Sequence, residues 1–162
     1  MTDRFSAAAM ALAFSLLAPA AGAATFHSHQ NDRFGFVLDL PDGWRADPPP
    51  ENGDGVTLRD PEGGAVLTAF GRYASRPFPA EAAEFTAPQS GETQTFAARG
   101  AGWLATSGAR GGSIYYRKAF LACSGEVLGA LSIEYAASAK GRFDAIVTRV
   151  ARSFRPGAVA CK

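Results

Sequence analysis

The sequence predicts an α+β domain, an antiparallel β-sheet with helices packed on its faces, on three observations. Four strand-like stretches in the second half are joined by connections too short to hold a crossover helix. One amphipathic stripe near the end has helical spacing, and clusters of Gly, Pro, Asn and Asp punctuate the first half at strand-length intervals.

The first strand is expected over residues 34–40, where Phe34, Phe36, Leu38 and Leu40 share one apolar face at a period of two. Pro41, Asp42 and Gly43 form a turn, because Pro fixes its φ and Gly tolerates a positive one, and Trp44 follows as a core anchor. Residues 48–55 hold three prolines and then Glu-Asn-Gly-Asp-Gly, a loop. Residues 56–59 and 65–71 read as a hairpin closed by Asp60-Pro61-Glu62-Gly63-Gly64. A short helix fits residues 79–85, with Pro79 in its first turn and Glu81 near the positive end of its dipole.

Strands follow at 93–98, 102–107, 113–122 and 126–135. In the last of these Val127, Gly129, Leu131, Ile133 and Tyr135 lie on one face, which should meet a helix. That helix carries Phe143, Ile146, Val147, Val150 and Phe154 on a single stripe, with Gly141 near its start and Pro156-Gly157 at its end. Arg142, Arg149, Arg152 and Arg155 are off the stripe, and the last three sit where the dipole favours cations. They form either a solvated face or an anion-docking surface.

Residues 1–24 have the pattern of a cleavable signal peptide: a basic residue at Arg4, an apolar run from Ala7 to Leu17, then Pro19 and small residues up to a cleavage point after Ala23 or Ala24. The run is shorter than the roughly 20 residues of a spanning helix, and no Cys lies near the cleavage point to take a lipid. The expected product is a periplasmic or secreted monomer without a membrane span. It comprises a flexible lead-in at residues 25–33 and one domain at 34–162, a length that buries a core without metal.

With 47% hydrophobic and 19% charged residues and a formal net charge of +1, the chain has no global field for nucleic acid. Charge is uneven along the chain: residues 25–98 hold five basic and eleven acidic residues, and residues 99–162 hold ten basic and three acidic. Interleaved strands would mix the two signs on one surface.

Two cysteines in an exported chain suggest one disulfide. From Cys123 the last strand runs about 30 Å away. The closing helix returns about 21 Å, and an extended tail can bring Cys161 back to Cys123. Closing a loop of about 39 residues is worth on the order of 3 to 4 kcal/mol in the chain-entropy model.

Both histidines, His27 and His29, fall in the lead-in and are the candidate metal ligands. If cleavage follows Ala24, the mature chain begins Thr25-Phe26-His27, whose amine, two amide nitrogens and imidazole suit square-planar Cu(II) or Ni(II). Asn52, Asp54, Asp60 and Glu62 could offer oxygens to Ca²⁺, although their spacing is not that of an EF-hand and turn chemistry accounts for them. No nucleophile elbow, phosphate-binding loop, zinc-protease motif or dinucleotide fingerprint occurs, and no cofactor is expected. Glu126 and Glu134 would stand about 26 Å apart along a strand, too far for a glycosidase pair.

Residues 34–36 through Pro41 and Trp44, the Asn52-Gly53-Asp54-Gly55 loop running into Asp60-Pro61, and the closing helix with Phe143-Asp144 and Ser153-Phe154 resemble the PsbP-like superfamily. That superfamily contains the extrinsic P protein of photosystem II and the Ran-binding Mog proteins. The resemblance implies a PsbP-like α/β/α sandwich; known members act mainly as accessory or binding proteins, and neither the photosystem-binding nor the Ran-binding surface is matched. With no catalytic motif in the residues, the leading reading is an accessory or binding role toward an unknown protein or small-molecule partner. Two other classes compete with that reading. One is a hydrolase-like enzyme assembled from scattered residues such as Tyr115, Tyr116, Arg117 and Glu134. The other is a Cu/Ni-binding protein using the amino-terminal histidines.

Overall fold

Every second side chain from residue 34 to residue 40 is buried: Phe34, Phe36, Leu38 and Leu40 are each at most 5% exposed. The computed structural model describes residues 24–158 and 161, so the signal peptide read at residues 1–24 lies outside the described residues apart from Ala24. The chain forms β1 (Phe26–Gln30), β2 (Phe36–Pro41), β3 (Arg45–Ala46), β4 (Gly55–Arg59), β5 (Ala65–Tyr73) and α1 (Ala80–Thr86). It continues through β6 (Thr93–Gly100), β7 (Trp103–Arg110), β8 (Ser113–Ala122), β9 (Val127–Ala136), α2 (Lys140–Ser153) and β10 (Arg155–Pro156).

The architecture is mixed α+β with antiparallel pairing throughout. Seven strands lie in the order β3-β4-β5-β9-β8-β7-β6, and three more form a separate sheet β1-β2-β10. The expected hairpin of β4 and β5 is present, with Arg59 opposite Val66, as is the run of β6 to β9.

The large sheet is covered unequally on its two faces. On one face Leu67, Leu131, Ile133 and Phe120 meet the inner side of β2 and the stripe of α2, where Phe143, Val150 and Phe154 are at most 1% exposed. Val127, Leu131, Ile133 and Tyr135 therefore meet the helix face that the periodicity of the last strand calls for. On the other face α1 buries Ala82 against Ala119, Leu128 and Ala130, with Phe70, Phe85 and Leu104 around them. Trp44 is part-buried and stands edge-on to Phe143, with ring centroids 6.0 Å apart.

Two glycines set how closely the layers approach. Gly71 of β5 and Gly129 of β9 are cross-strand partners. A Cβ on Gly71 would lie 2.3 Å from Phe34, and one on Gly129 would lie 2.3 Å from the ring of Phe120. Phe154 then stacks on Phe120 and meets Phe36, with centroids 4.9 and 5.8 Å apart. The helix is fixed from below by Lys118 of β8, whose Nζ donates to the carbonyls of Ala151 at 2.7 Å and Phe154 at 2.8 Å. This cation satisfies carbonyls that have no partner inside the helix and sits at the negative end of its dipole. Burial moves the Lys118 ammonium below its ordinary value.

The lead-in expected at residues 25–33 is corrected by the structure, since it contains β1 paired with β2 from Phe26 opposite Pro41 to Gln30 opposite Val37. Its side chains are mostly polar, so backbone hydrogen bonds rather than an apolar face order it. The intervening turn is closed by Asn31, whose Oδ1 accepts from the amides of Arg33 at 3.1 Å and Phe34 at 2.7 Å. At the other end α2 stops at Ser153, Phe154 is extended, and Arg155–Pro156 pairs with Val37 and Phe36.

Replacing Gly129 by Ala inserts a methyl group where the Phe120 ring lies. The expected loss is about 1 to 3 kcal/mol, the usual cost of overpacking a core, read as a lower urea midpoint with an unchanged slope. Gly63→Ala, where a Cβ would meet nothing within 4 Å but φ is +78°, tests backbone strain without overpacking.

Candidate functional site

The helix α2 covers β9 and part of β8, leaves β7 partly covered and β6 exposed, and so a groove of about 660 Å³ opens between the helix and β6 to β8. Its floor is Ile114, Tyr116 and Tyr135, its helix wall includes Val147, and its outer wall is Thr95 with Phe96, which is 48% exposed. Tyr135 donates to Asp144 Oδ1 at 3.1 Å, and Lys140 pairs with the other oxygen of the same carboxylate. Burial pushes the Tyr116 phenol up to about 12, and burial with the neighbouring Asp144 does the same for Tyr135. Both phenols are therefore neutral donors at any physiological pH, unsuited to act as bases. Arg152 stands at the rim, exposed, with no ion-pair partner among the described residues.

A second cavity of about 360 Å³ flanks β6 on the opposite face of the sheet. Ala83, Thr86 and Ala87 of the α1 region face Gln94, Ala97, Arg99 and Leu104 across it.

Of the four residues considered for an enzyme, Tyr115, Arg117 and Glu134 are neighbours on one face of the sheet and Tyr116 lies on the other. Tyr115 and Arg117 point to the α1 side of β8, and Tyr116 points into the groove on the other side. Arg117 is buried and forked onto Glu92, with Nη1 to Oε2 at 2.8 Å and Nη2 to Oε1 at 2.6 Å, and its guanidinium lies 4.5 Å from the Tyr115 ring centroid. The Gln89 amide donates to the same carboxylate at 2.7 Å. This bidentate pair pins the 87–92 loop over the sheet and is structural. Glu134 is opposite Tyr115 in the sheet but half-exposed and 3.6 Å from Arg110.

The oxygens weighed for calcium are divided between two ends of β4. Asn52 donates to Asp54 within its own turn, whereas Asp60 accepts from Arg142 at 2.6 Å and Glu62 also pairs with Arg142. A helix arginine thus occupies the position a cation would take. Arg149 pairs likewise with Asp39 at 2.6 Å. The two charge-biased halves of the sequence are interleaved through these contacts.

His27 bonds Asp42 through Nδ1 at 2.7 Å, and His29 is part-buried beside Phe36. Burial, then the nearby His27, moves the His29 imidazole below its ordinary value. The bonds from Asp42 to Thr25 and from Asn31 to Phe36 fix the alternation along β1, placing the His27 amide in the ladder with β2. A square-planar metal set at Thr25-Phe26-His27 would have to take that amide from the sheet. No group of three or more His, Cys, Asp or Glu able to hold a metal occurs among the described residues.

Cys123 and Cys161 are joined by a disulfide, with Cα atoms 5.0 Å apart. The bond ties the tail to the turn between β8 and β9. No helix among the described residues is long and apolar enough to cross a membrane.

Sequence reasoning missed the groove, Phe96 and the Glu92–Arg117 pair. One signal was available in Phe96, a large apolar residue in a stretch otherwise made of Thr, Gln and Ala.

No family model and no curated protein sequence matches the chain. Among solved structures it is similar to the cyanobacterial PsbP protein (CyanoP) of Synechocystis. The TM-score is 0.59 at 14% identity, over 84% of this chain and 95% of that one. It is also similar to the Ran-binding protein Mog1p of Saccharomyces cerevisiae, with a TM-score of 0.55 at 7% identity, over 86% of this chain and 97% of that one. The protein has the PsbP-like fold that these two share.

The Glu92 side chain is 1% exposed, and Arg117, then the Gln89 amide, hold its carboxyl below the ordinary carboxylate value. A carboxylate depressed in this way stabilises the fold above its unfolded pKa, and the contribution is lost as pH falls through the folded one. Glu92→Gln should therefore lose about 3 to 5 kcal/mol at pH 7, as expected for breaking one side of a buried pair. Its stability should also depend less on pH than that of the parent below pH 4.5. Urea titrations from pH 7 to pH 3 measure both effects.

Proposed function

We propose that this protein is an exported accessory or binding protein, monomeric on its own, that works by contact and not by catalysis. The groove between α2 and β6 to β8 is its contact surface. The observation that carries this reading is the wall of that groove. Phe96 leaves nearly half its surface in water beside a floor of apolar and aromatic residues, with a charge at the rim that nothing described neutralises. Tyr73 is more exposed still, but Phe96 is continuous with the apolar floor of the groove, and contiguous exposed apolar surface is what fits a site that a partner covers.

Three further features support the reading. The groove's titratable side chains are the phenols of Tyr116 and Tyr135, the Asp144 carboxylate held by Lys140 and Tyr135, and the cations Lys140 and Arg152, a set suited to contact more than to proton abstraction. The disulfide fits an oxidising compartment, and the leader at residues 1–24 supplies the route there. One of the similar structures named above carries a binding role in its name, Ran-binding, and the proposal takes from it the general role of contact without the partner.

A photoreactive phenylalanine analogue placed at position 96 in the exported protein should give a discrete cross-linked species with a second macromolecule. The same analogue at position 59, on the far side of the sheet, should give none. Equal adducts at both positions, or none at 96, would overturn the groove as the contact surface. Intact mass of the exported chain checks the compartment separately: it should lack the first 23 or 24 residues and resist alkylation until reduced.

A further inference from the structure

Granted the contact surface proposed for the groove, on which this inference rests, the strand at its outer wall defines the chemistry of the partner. β6 is the last strand of the seven-stranded sheet, with β7 on one side and no described strand on the other. Its backbone direction can be derived. Leu121 donates to the Gly102 carbonyl, so along β7 the residues bonded to β8 are Gly102, Leu104 and Thr106. Their partners across the β6–β7 hairpin are Arg99 opposite Leu104 and Ala97 opposite Thr106. The N–H and C=O groups of Ala97 and Arg99 therefore point away from the sheet.

Open edges of this kind are normally blunted by Pro, charged side chains, short length or a bulge. β6 has eight residues, a bulge between Gln94 and Phe96 and one charge at Arg99, and the stretch from Phe96 to Gly100 is otherwise free of Pro and of charge. The two cavities flank this same strand on opposite faces. Thr95 and Phe96 border the groove beneath α2, and Gln94, Ala97 and Arg99 border the cavity beside α1. A strand laid along β6 would direct alternate side chains into one cavity and then the other, the arrangement by which added strands gain specificity.

Charge selects the occupant. Arg152 at the first cavity and Arg99 at the second have no ion-pair partner among the described residues. No acidic residue lines the second cavity, and the one in the first, Asp144, is held by Lys140 and Tyr135. A second copy pairing through β6 would bring two sets of these arginines to one seam without a free carboxylate to meet them. We infer that β6 accepts an extended acidic segment of a partner protein as an added strand, its apolar side chains alternating between the two cavities and its carboxylates meeting Arg99 and Arg152.

The test uses the mature protein and a fluorescein-labelled, acetylated peptide, Asp-Asp-Phe-Val-Phe-Val-Asp-Asp, read by anisotropy and by amide chemical shifts. Saturable binding is expected, with shifts confined to β6, residues 83–87 and the groove side of α2. Replacing every Asp of the peptide by Lys should weaken binding about tenfold or more, as should N-methylation of alternate peptide amides. Ala97→Pro should do the same, since it removes an outward donor and leaves the ladder to β7 intact.

Equal binding by the Lys peptide would overturn the charge argument, and equal binding by the N-methylated peptides would overturn strand addition. Should Ala97→Pro fail to fold, the N-methylated peptides decide the matter on the unaltered protein. A dimer in sedimentation that Ala97→Pro dissociates would show β6 taken by a second copy and overturn the inference. Absence of peptide binding while the analogue at position 96 still traps a partner would sink strand addition and leave the groove as the contact surface.

Discussion

The pair of glycines facing each other across β5 and β9 is the constraint on which the layering depends. Gly71 and Gly129 leave a patch of sheet without side chains, and the rings of Phe34 and Phe120 fill it side by side on one face. Because those rings lie against the backbone, Phe154 can settle on Phe120 and Phe36 can reach Phe154. This chain of contacts joins the small sheet, the end of α2 and the large sheet into one core. A methyl group at either glycine would lift a ring, and with it the layer above. Close packing makes such a displacement expensive, because protein interiors have few voids to absorb it.

The groove follows from simple dimensions. Seven strands spaced about 4.8 Å apart make a sheet roughly 29 Å wide, whereas a helix with its side chains covers about 10 to 12 Å. The one long helix among the described residues lies over β8 and β9, the β1-β2-β10 sheet packs into the same core beside it, β7 is only partly covered with Trp103 against that core, and β6 is left exposed. On the other face α1 has only seven residues and lies over β7, β8 and β9. The uncovered edge of the sheet at β6 is therefore a consequence of how many residues the chain spends on helix. Phe96 and Ile114 mark where that uncovered surface stayed apolar.

Buried and part-buried ion pairs hold the loops around this frame. Glu92 and Arg117 fasten the 87–92 loop, Asp60 and Arg142 tie the β4–β5 turn to the start of α2, and Glu81, fully buried on α1, faces Arg72 and Arg76. Arg72 Nη1 lies 2.7 Å from a Glu81 oxygen but without the alignment of a hydrogen bond, so this contact is mainly coulombic. Such pairs contribute little net stability compared with an apolar core, and their larger effect is to penalise arrangements that would leave one charge unmatched.

Local pattern alone determined much of this protein. The period-two face of residues 34–40, the hairpin around Asp60 to Gly64, the four strands that follow and the stripe from Phe143 to Phe154 could all be read, because each is decided by neighbours in sequence. β1 could not be read this way. Its order comes from main-chain bonds to β2 and an Asn31 turn, and main-chain groups are the same in every sequence. The fate of the helix arginines was equally closed to sequence, since Arg142 and Arg149 meet acidic residues 82 and 110 positions away while Arg152 meets none described. Periodicity shows which side of an element is apolar. Whether another layer reaches that side depends on the widths of sheet and helix and on contacts between distant segments, which is why the groove beside Phe96 belongs to the tertiary structure alone.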